Sequence, residues 1–243
     1  MKNITWIRNR KVINTATIFL LTAIVSLLVL VGCSSQKTSS EKIDSYKDNF
    51  EIIGSEREEI IGDISEDTFY KSDRTNKDAK EYHIPAVDEG GEIFSLPDGR
   101  YQIAGGITGN VYIYDSQGGV LYHNILGSAY GVPSITLDIQ DSYKIEVDSG
   151  LDEVTVTPYM QQPSTEFSAG IWFVGTDIEA GEYIITGPEE GGFGYLQIIE
   201  PDERNQVYEV IGGKLSSSKS KVTLREGQVI KITNIPWVNM KAE

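Results

Sequence analysis

A ten-residue pattern near position 100 returns near position 182, and this repetition constrains the fold more than any other feature of the 243-residue chain. Leu96-Pro97-Asp98-Gly99-Arg100-Tyr101-Gln102-Ile103-Ala104-Gly105 matches Ile178-Glu179-Ala180-Gly181-Glu182-Tyr183-Ile184-Ile185-Thr186-Gly187 at an offset of 82. Gly109-Asn110-Val111-Tyr112-Ile113 then matches Gly194-Tyr195-Leu196-Gln197-Ile198 at 85. Ile135-Thr136-Leu137 and Tyr143-Lys144-Ile145 match Val222-Thr223-Leu224 and Ile230-Lys231-Ile232 at 87. The drifting offset implies small insertions, which fall where Gly, Ser and Asp mark loops. Each unit reads as a turn, a Gly-x-Tyr-x-Ile strand, a second strand, a variable middle and a closing hairpin around Asp141 or Gly227.

Within these units apolar residues alternate with polar ones, as in VYIYDSQGGVLYHNI and SYKIEVDSGLDEVTVTP, the period of a half-buried strand. Tyr101 with Ile103, and Tyr183 with Ile185, lie two apart and so share a sheet face. Gly99 and Gly181 are expected at turns with positive φ. Trp172, Phe173 and Trp237 are expected in the core or packed at a sheet edge. We therefore expect an all-β fold: two repeated antiparallel β-sandwich-like units, at 91–160 and 168–243, after a signal helix and a partly helical charged linker. They form either two small domains or the halves of one sandwich.

Upstream, Lys2, Arg8, Arg10 and Lys11 precede 21 residues without a charge, Val12 to Gly32. A positive region followed by an apolar one is a secretory signal, here assigned to residues 1–32. The run is also long enough to span a bilayer as a helix. It ends Leu30-Val31-Gly32-Cys33, which resembles the bacterial lipobox and uses the only cysteine. The resemblance implies that the Cys33 thiol is joined to a diacylglycerol and the chain is cut before it. Cys33 then anchors the protein to the lipid bilayer, on the extracytoplasmic face of the cell membrane.

Residues 33–90 read as tether and linker. SSQKTSSEK, at 34–42, is small and polar. Ile43, Tyr46, Phe50 and Ile53, then Ile60, Ile61 and Ile64, follow helical spacing, so one or two short amphipathic helices are expected over 43–70. Lys71 to Tyr82 has no aliphatic residue larger than Ala and mixes both charges, so disorder is expected there.

Phe173-Val174-Gly175-Thr176-Asp177-Ile178-Glu179-Ala180-Gly181-Glu182-Tyr183, with the later VTLREGQVIKITN, resembles the Val-Gly-x-Asp-Ile-x-Ala-Gly-x-Tyr domains of extracellular proteins from Gram-positive bacteria. That family implies a small β-sandwich-like fold and surface display, with no catalytic residues. In the first unit Ser95-Leu96-Pro97-Asp98 replaces the Thr-Asp-Ile-x-Ala stretch.

Little else suggests chemistry. With 21 Lys+Arg against 36 Asp+Glu the net charge is −15, which disfavours nucleic acid. The leader holds four of those basic residues and no acid, so the mature chain from Cys33 carries −19. Only His83 and His123 are available for a triad, and Ser128 in Gly127-Ser128-Ala129-Tyr130-Gly131 is not central in its glycine bracket. Glu189-Glu190 and Asp138 with Asp141 are the default of an acidic surface. Asp138-x-x-Asp141 and Asp148 with Asp152 offer oxygen ligands for calcium but not the EF-hand spacing. Gly191, Gly192 and Gly194 open no helix and so form no phosphate loop; a hairpin or bulge is their expected use.

No catalytic residue, metal site or cofactor is assigned, and the chain is not expected to be an enzyme. The reading reached is a lipid-anchored, non-enzymatic binding or accessory module contacting a protein partner, with loop 187–194 as a candidate contact. The alternatives are a carboxylate-dependent enzyme on wall polymer or peptide, and a structural spacer subunit of a membrane complex.

Overall fold

The computed structural model describes residues 64–87, 92–106, 108–148, 152–160, 164–188, 190, 192–201, 206–212 and 220–243, without the side chains of 206–210 and 220. The signal, Cys33, the tether and the helices expected over 43–63 lie outside these residues. Among the described residues the fold is all-β, apart from one 3-10 turn at Glu66–Phe69. The strands are β1 (Tyr82–Pro85), β2 (Gly99–Gly105), β3 (Gly109–Tyr114), β4 (Val120–Leu126), β5 (Ser134–Ile139), β6 (Lys144–Asp148), β7 (Glu153–Pro158), β8 (Glu166–Phe173), β9 (Gly181–Thr186), β10 (Phe193–Ile199), β11 (Gln206–Gly212), β12 (Ser220–Leu224) and β13 (Val229–Ala242).

In the first repeat the layer β1-β7-β2-β5 accompanies the three-stranded sheet β4-β3-β6. The alternation read from the sequence fills the space between them. Tyr101, Ile103, Leu137 and Val156 are fully buried in one cluster with Val111, Ile113, Ile145 and Val147. The second repeat reproduces the pairings. β9 pairs β12 as β2 pairs β5, and β10 pairs β11 as β3 pairs β4. What the first repeat does with β6 and β7, the second does with the single strand β13. Its register on β8 shifts between Ile232 and Trp237, with Asn234 at φ 59°. The first half of β13 pairs β10 and the second half pairs β9.

The registers correct the sequence alignment. Tyr101 faces Leu137 and Tyr183 faces Val222, so Leu137 corresponds to Val222 and not to Leu224. Likewise Ile113 faces Ile145 while Ile198 faces Ile230. The closing strands thus keep the offset of 85 rather than drifting to 87. A slip of two residues leaves every side chain on its original face, so alternation alone does not reveal it.

The turn glycines are also corrected: neither Gly99 nor Gly181 has positive φ. In both repeats the tyrosine two residues on folds back instead. Tyr101 Oη donates to the Pro97 carbonyl at 3.0 Å, and Tyr183 Oη to that of Glu179 at 2.9 Å. This is the tyrosine corner of β-sandwiches. A Cβ on Gly99 would sit 3.1 Å from the Tyr101 ring, closer than ordinary packing; at Gly181 the distance is 3.5 Å and the demand is weaker.

The two repeats share one sheet. Within each repeat the strand pairs are antiparallel, but β5 meets β8 in parallel, Ile135 beside Ala169 and Thr136 beside Gly170. Gly170 has φ 143°, and a Cβ there would lie 1.9 Å from the Thr136 carbonyl oxygen. Ala169, Ile171, Phe173, Ile199 and Val229 of the second repeat pack into the first repeat's core. Across the same joint, Tyr122 Oη donates to the Ile232 carbonyl at 2.5 Å, and Lys231 Nζ to that of Leu121 at 2.8 Å.

Disorder does not hold for Lys71–Tyr82. Residues 64–82 form a strap on the β body. Ile64, Phe69, Tyr70, Ala79 and Tyr82 pack against the first core. Tyr143 Oη donates to the Asp67 carbonyl, and the Ser116 amide to the Asp67 carboxylate. Composition misleads here because the strap is held by polar side chains, which the scarcity of aliphatic residues does not register. The helical spacing at 64–70 yields only the single 3-10 turn, begun by Ser65 accepting from the Asp67 amide.

Candidate functional site

The strap crosses the joint between repeats, where four charged side chains converge out of water. Arg100 on β2 and Asp138 on β5 are cross-strand partners. They project from the face opposite Tyr101, a face that would meet solvent in a lone repeat. Here Trp172 covers it, its ring 4.5 Å from the Arg100 guanidinium. Arg100 Nη1 donates to Asp138 Oδ2 at 2.7 Å and Nη2 to the Ile171 carbonyl at 3.2 Å.

Asp177 belongs to the turn after β8, in the Gly-Thr-Asp-Ile stretch. Its Oδ2 accepts from the Phe173 amide at 2.8 Å, closing the turn, and lies 3.6 Å from Arg100 Nη2. From the strap, Arg74 completes the set: Nη1 donates to Asp177 Oδ1 at 2.7 Å and Nη2 to Oδ2 at 3.3 Å. Its Nε sits 2.8 Å from Asp138 Oδ1 but is not aligned as a hydrogen bond. The Ser72 hydroxyl and amide both donate to Asp138 Oδ1. The carboxylates and Arg100 are sealed, at 0–1% side-chain exposure, while Arg74 keeps 18%.

Burial works against the charge on Arg74, but the Asp177 hydrogen bond and the two carboxylates outweigh it and raise its pKa. Arg100 is enclosed more fully, and burial lowers its pKa despite Asp177 and Asp138. Two guanidinium groups and two carboxylates balance. Leaving any one unpaired in this environment would be strongly unfavourable, on the order of 3–5 kcal/mol for a buried pair. Every carboxylate oxygen here already accepts from the protein. The arrangement suits recognition of a guanidinium, not proton transfer.

Among the described residues the second repeat has no such cluster. By register Glu182 stands where the first repeat has Arg100, and Thr223 where it has Asp138. Glu182 instead meets Lys221 at the surface, 3.1 Å away.

The other residues singled out in the sequence are dispersed. His83 lies exposed on β1 between Glu81 and Glu153. His123 lies exposed on β4, stacked on Tyr112 at 4.4 Å, with Nε2 3.1 Å from Asn110 Oδ1. The Ser128 hydroxyl donates to the Gly106 carbonyl, so no triad assembles around it. Asp138 is drawn into the clasp and away from Asp141, whose amide donates to Asp98. Among the described residues, no three His, Cys, Asp or Glu side chains gather as metal ligands do. In loop 187–194, Gly187 and Gly194, with Gly212 nearby, make room for the buried Ile235 at the irregular stretch of β13. Phe193 remains exposed, Trp172 and Phe173 are buried, and Trp237 is part-exposed.

Sequence reasoning missed Arg74, Arg100 and Asp177 as a group. The Arg100–Asp138 pair was accessible from the strand register alone, but Arg74 lies in a charged stretch that carries no signal of burial. No protein-family model matches the chain, and a search of curated proteins finds no match.

Proposed function

We propose that the chain is a lipid-anchored extracytoplasmic lipoprotein whose paired β repeats form a non-enzymatic binding or accessory module for a protein partner. The observation that carries this reading is the uncharged run 12–32, ending Leu-Val-Gly at the only cysteine, Cys33. Two stable acyl chains hold a protein at a bilayer where one does not. The non-enzymatic part is supported by the clasp, since Asp138 and Asp177, whose side chains are sealed from solvent, are both committed to guanidinium groups.

The test is metabolic labelling of cells with an alkyne fatty acid, for the full chain and for Cys33→Ala. The full chain should take up label and sediment with membranes, and the variant should lose the label. Label retained in Cys33→Ala, or none in the parent, would overturn the anchor. Crosslinking on living cells followed by mass spectrometry then reads the partner: one dominant protein supports the module reading, and only scattered abundant surface proteins would count against it.

A further inference from the structure

We infer that Met160 is an oxidation site whose thioether takes an oxygen atom from a hydroperoxide, and that the sulfoxide so formed holds the strap more tightly to the β body. The chain has three methionines. Met1 stands in the leader, outside the described residues, and Met240 is fully buried in the second core. Met160 lies two residues beyond β7 and is 62% exposed. A small oxidant in solvent reaches its side chain with the fold intact, while Met240 is shielded.

What the sulfur touches gives its oxidation a consequence. The strap is fastened at Asn76, whose side chain makes three contacts with the body. Asn76 Oδ1 accepts from the Arg100 amide at 2.9 Å, and Nδ2 donates to the Tyr159 carbonyl at 3.0 Å and to Met160 Sδ at 3.6 Å. The side-chain amide has two hydrogens to give, and these two acceptors use both. The sulfur contact is the weakest of the three, because a thioether is a poor acceptor. Chemistry at an exposed atom thus acts on the weakest contact of the strap's anchor.

The step is a two-electron oxygen transfer. A sulfur lone pair attacks the distal oxygen of the hydroperoxide, and the O–O bond breaks as the S–O bond forms. The proton on the distal oxygen passes to the departing oxygen, so the peroxide is reduced to water or an alcohol and the sulfur is oxidised without change of charge. The sulfoxide oxygen is a strong acceptor one bond beyond the sulfur. It sits on an unbranched side chain with the torsional freedom to bring it to Nδ2. The polarity that would disrupt a core is harmless at Met160, which already meets water.

This inference goes beyond the binding-module reading and depends on neither the lipid anchor nor a partner. The test uses the purified full chain treated with hydrogen peroxide, beside untreated protein and Met160→Leu. Mass spectrometry of the digested protein reads which methionine is oxidised. Amide hydrogen exchange reads the strap at two donors to Asn76: the Ala79 amide, bonded to its carbonyl, and the Arg100 amide, bonded to its side chain. Met160 should be oxidised about tenfold faster than Met240, or more. Exchange at both amides should then slow by about threefold, a fraction of the worth of one hydrogen bond. Met160→Leu should show no slowing; Cys33 is common to parent and variant, so its own oxidation cancels in the comparison. Met160→Gln places a carbonyl oxygen one bond beyond the position of the sulfur and should slow exchange without any oxidant. Oxidation of Met240 as fast as Met160, exchange that is unchanged or faster in the oxidised parent, equal slowing in Met160→Leu, or a Met160→Gln chain that exchanges like the untreated parent would each overturn the proposal.

Discussion

Replacing Lys231 with methionine should flatten the response of stability to pH and raise stability at neutral pH. Lys231 lies at the joint between repeats, its ammonium over the Tyr122 ring at 5.5 Å and donating to the Leu121 carbonyl. Among the described residues no carboxylate pairs with it, and burial lowers its pKa from 10.5 to about 8. It acts on a group of the same sign when protonated: after burial, Lys231 lowers the pKa of His123.

The sign follows from proton counts. Below about pH 8 both folded and unfolded chains hold the proton, and the folded state bears the whole cost of a poorly solvated ammonium. Between 8 and 10.5 the folded chain releases its proton first, so stability rises with pH. At 1.36 kcal/mol per pKa unit the full gain is about 3 kcal/mol, and about 2 kcal/mol is reached by pH 9.5. Solvent contact at the edge of the side chain makes these upper bounds. Above pH 10 burial of Tyr122, Tyr143 and Tyr70 acts in the opposite direction: the unfolded chain loses the phenolic protons first, and stability falls. Methionine keeps the length over Tyr122 but leaves the Leu121 carbonyl without its donor, at about 1 kcal/mol. Urea unfolding at pH 7, 8, 9 and 9.5 reads the effect. The parent should gain stability across that series and Lys231→Met should not. An equal rise in both proteins, or no rise in the parent, would refute the reasoning.

Gly170→Ala should be among the most damaging single changes, because its Cβ would meet the Thr136 carbonyl oxygen at 1.9 Å on a backbone with φ 143°. A loss above about 3 kcal/mol in chemical unfolding is expected, and a loss below about 1 kcal/mol would mean that the joint yields. Tyr101→Phe removes the donor to the Pro97 carbonyl in a fully buried corner and should cost about 1 kcal/mol. Tyr183→Phe, in the less enclosed equivalent, should cost no more; the reverse order would refute the ranking by burial.

The sequence made the β units legible because alternation and turn residues are local properties. Tyr101 and Ile103 needed only a period of two to be placed on one buried face. The positions of the closing strands were not legible, since pairing Leu137 with Val222 or with Leu224 preserves the alternation equally well. The reason for Gly99 was misread because its constraint comes from the Tyr101 ring and not from its own torsion. The clasp was hidden for a different reason. Arg100 is buried beneath Tyr159 and Trp172, both far along the chain, and Arg74 only by folding a charged segment over a joint that no local pattern announces. Long-range burial of charge leaves no periodic trace.

The parallel β5–β8 joint also bears on whether either outer end of the pair offers the same seat again. Growth at either end would require the same seat to be offered again. At the leading end, the positions of Ile171, Phe173, Ile199 and Val229, which fill the first repeat's core, correspond by register to Ile93, Ser95, Tyr114 and Lys144. There the Lys144 ammonium donates to the Ser95 hydroxyl at 2.8 Å, and Ile93 is 55% exposed. At the trailing end, Ile135 and Thr136 become Ser220 and Lys221, and the lysine is engaged by Glu182 and Glu243. A lysine on a strand edge discourages another strand from adding to it. The joint thus has an apolar seat whose outward copies are interrupted by Lys144 and Ser95 at one end and by Lys221 at the other, the way capping repeats carry a polar outer face.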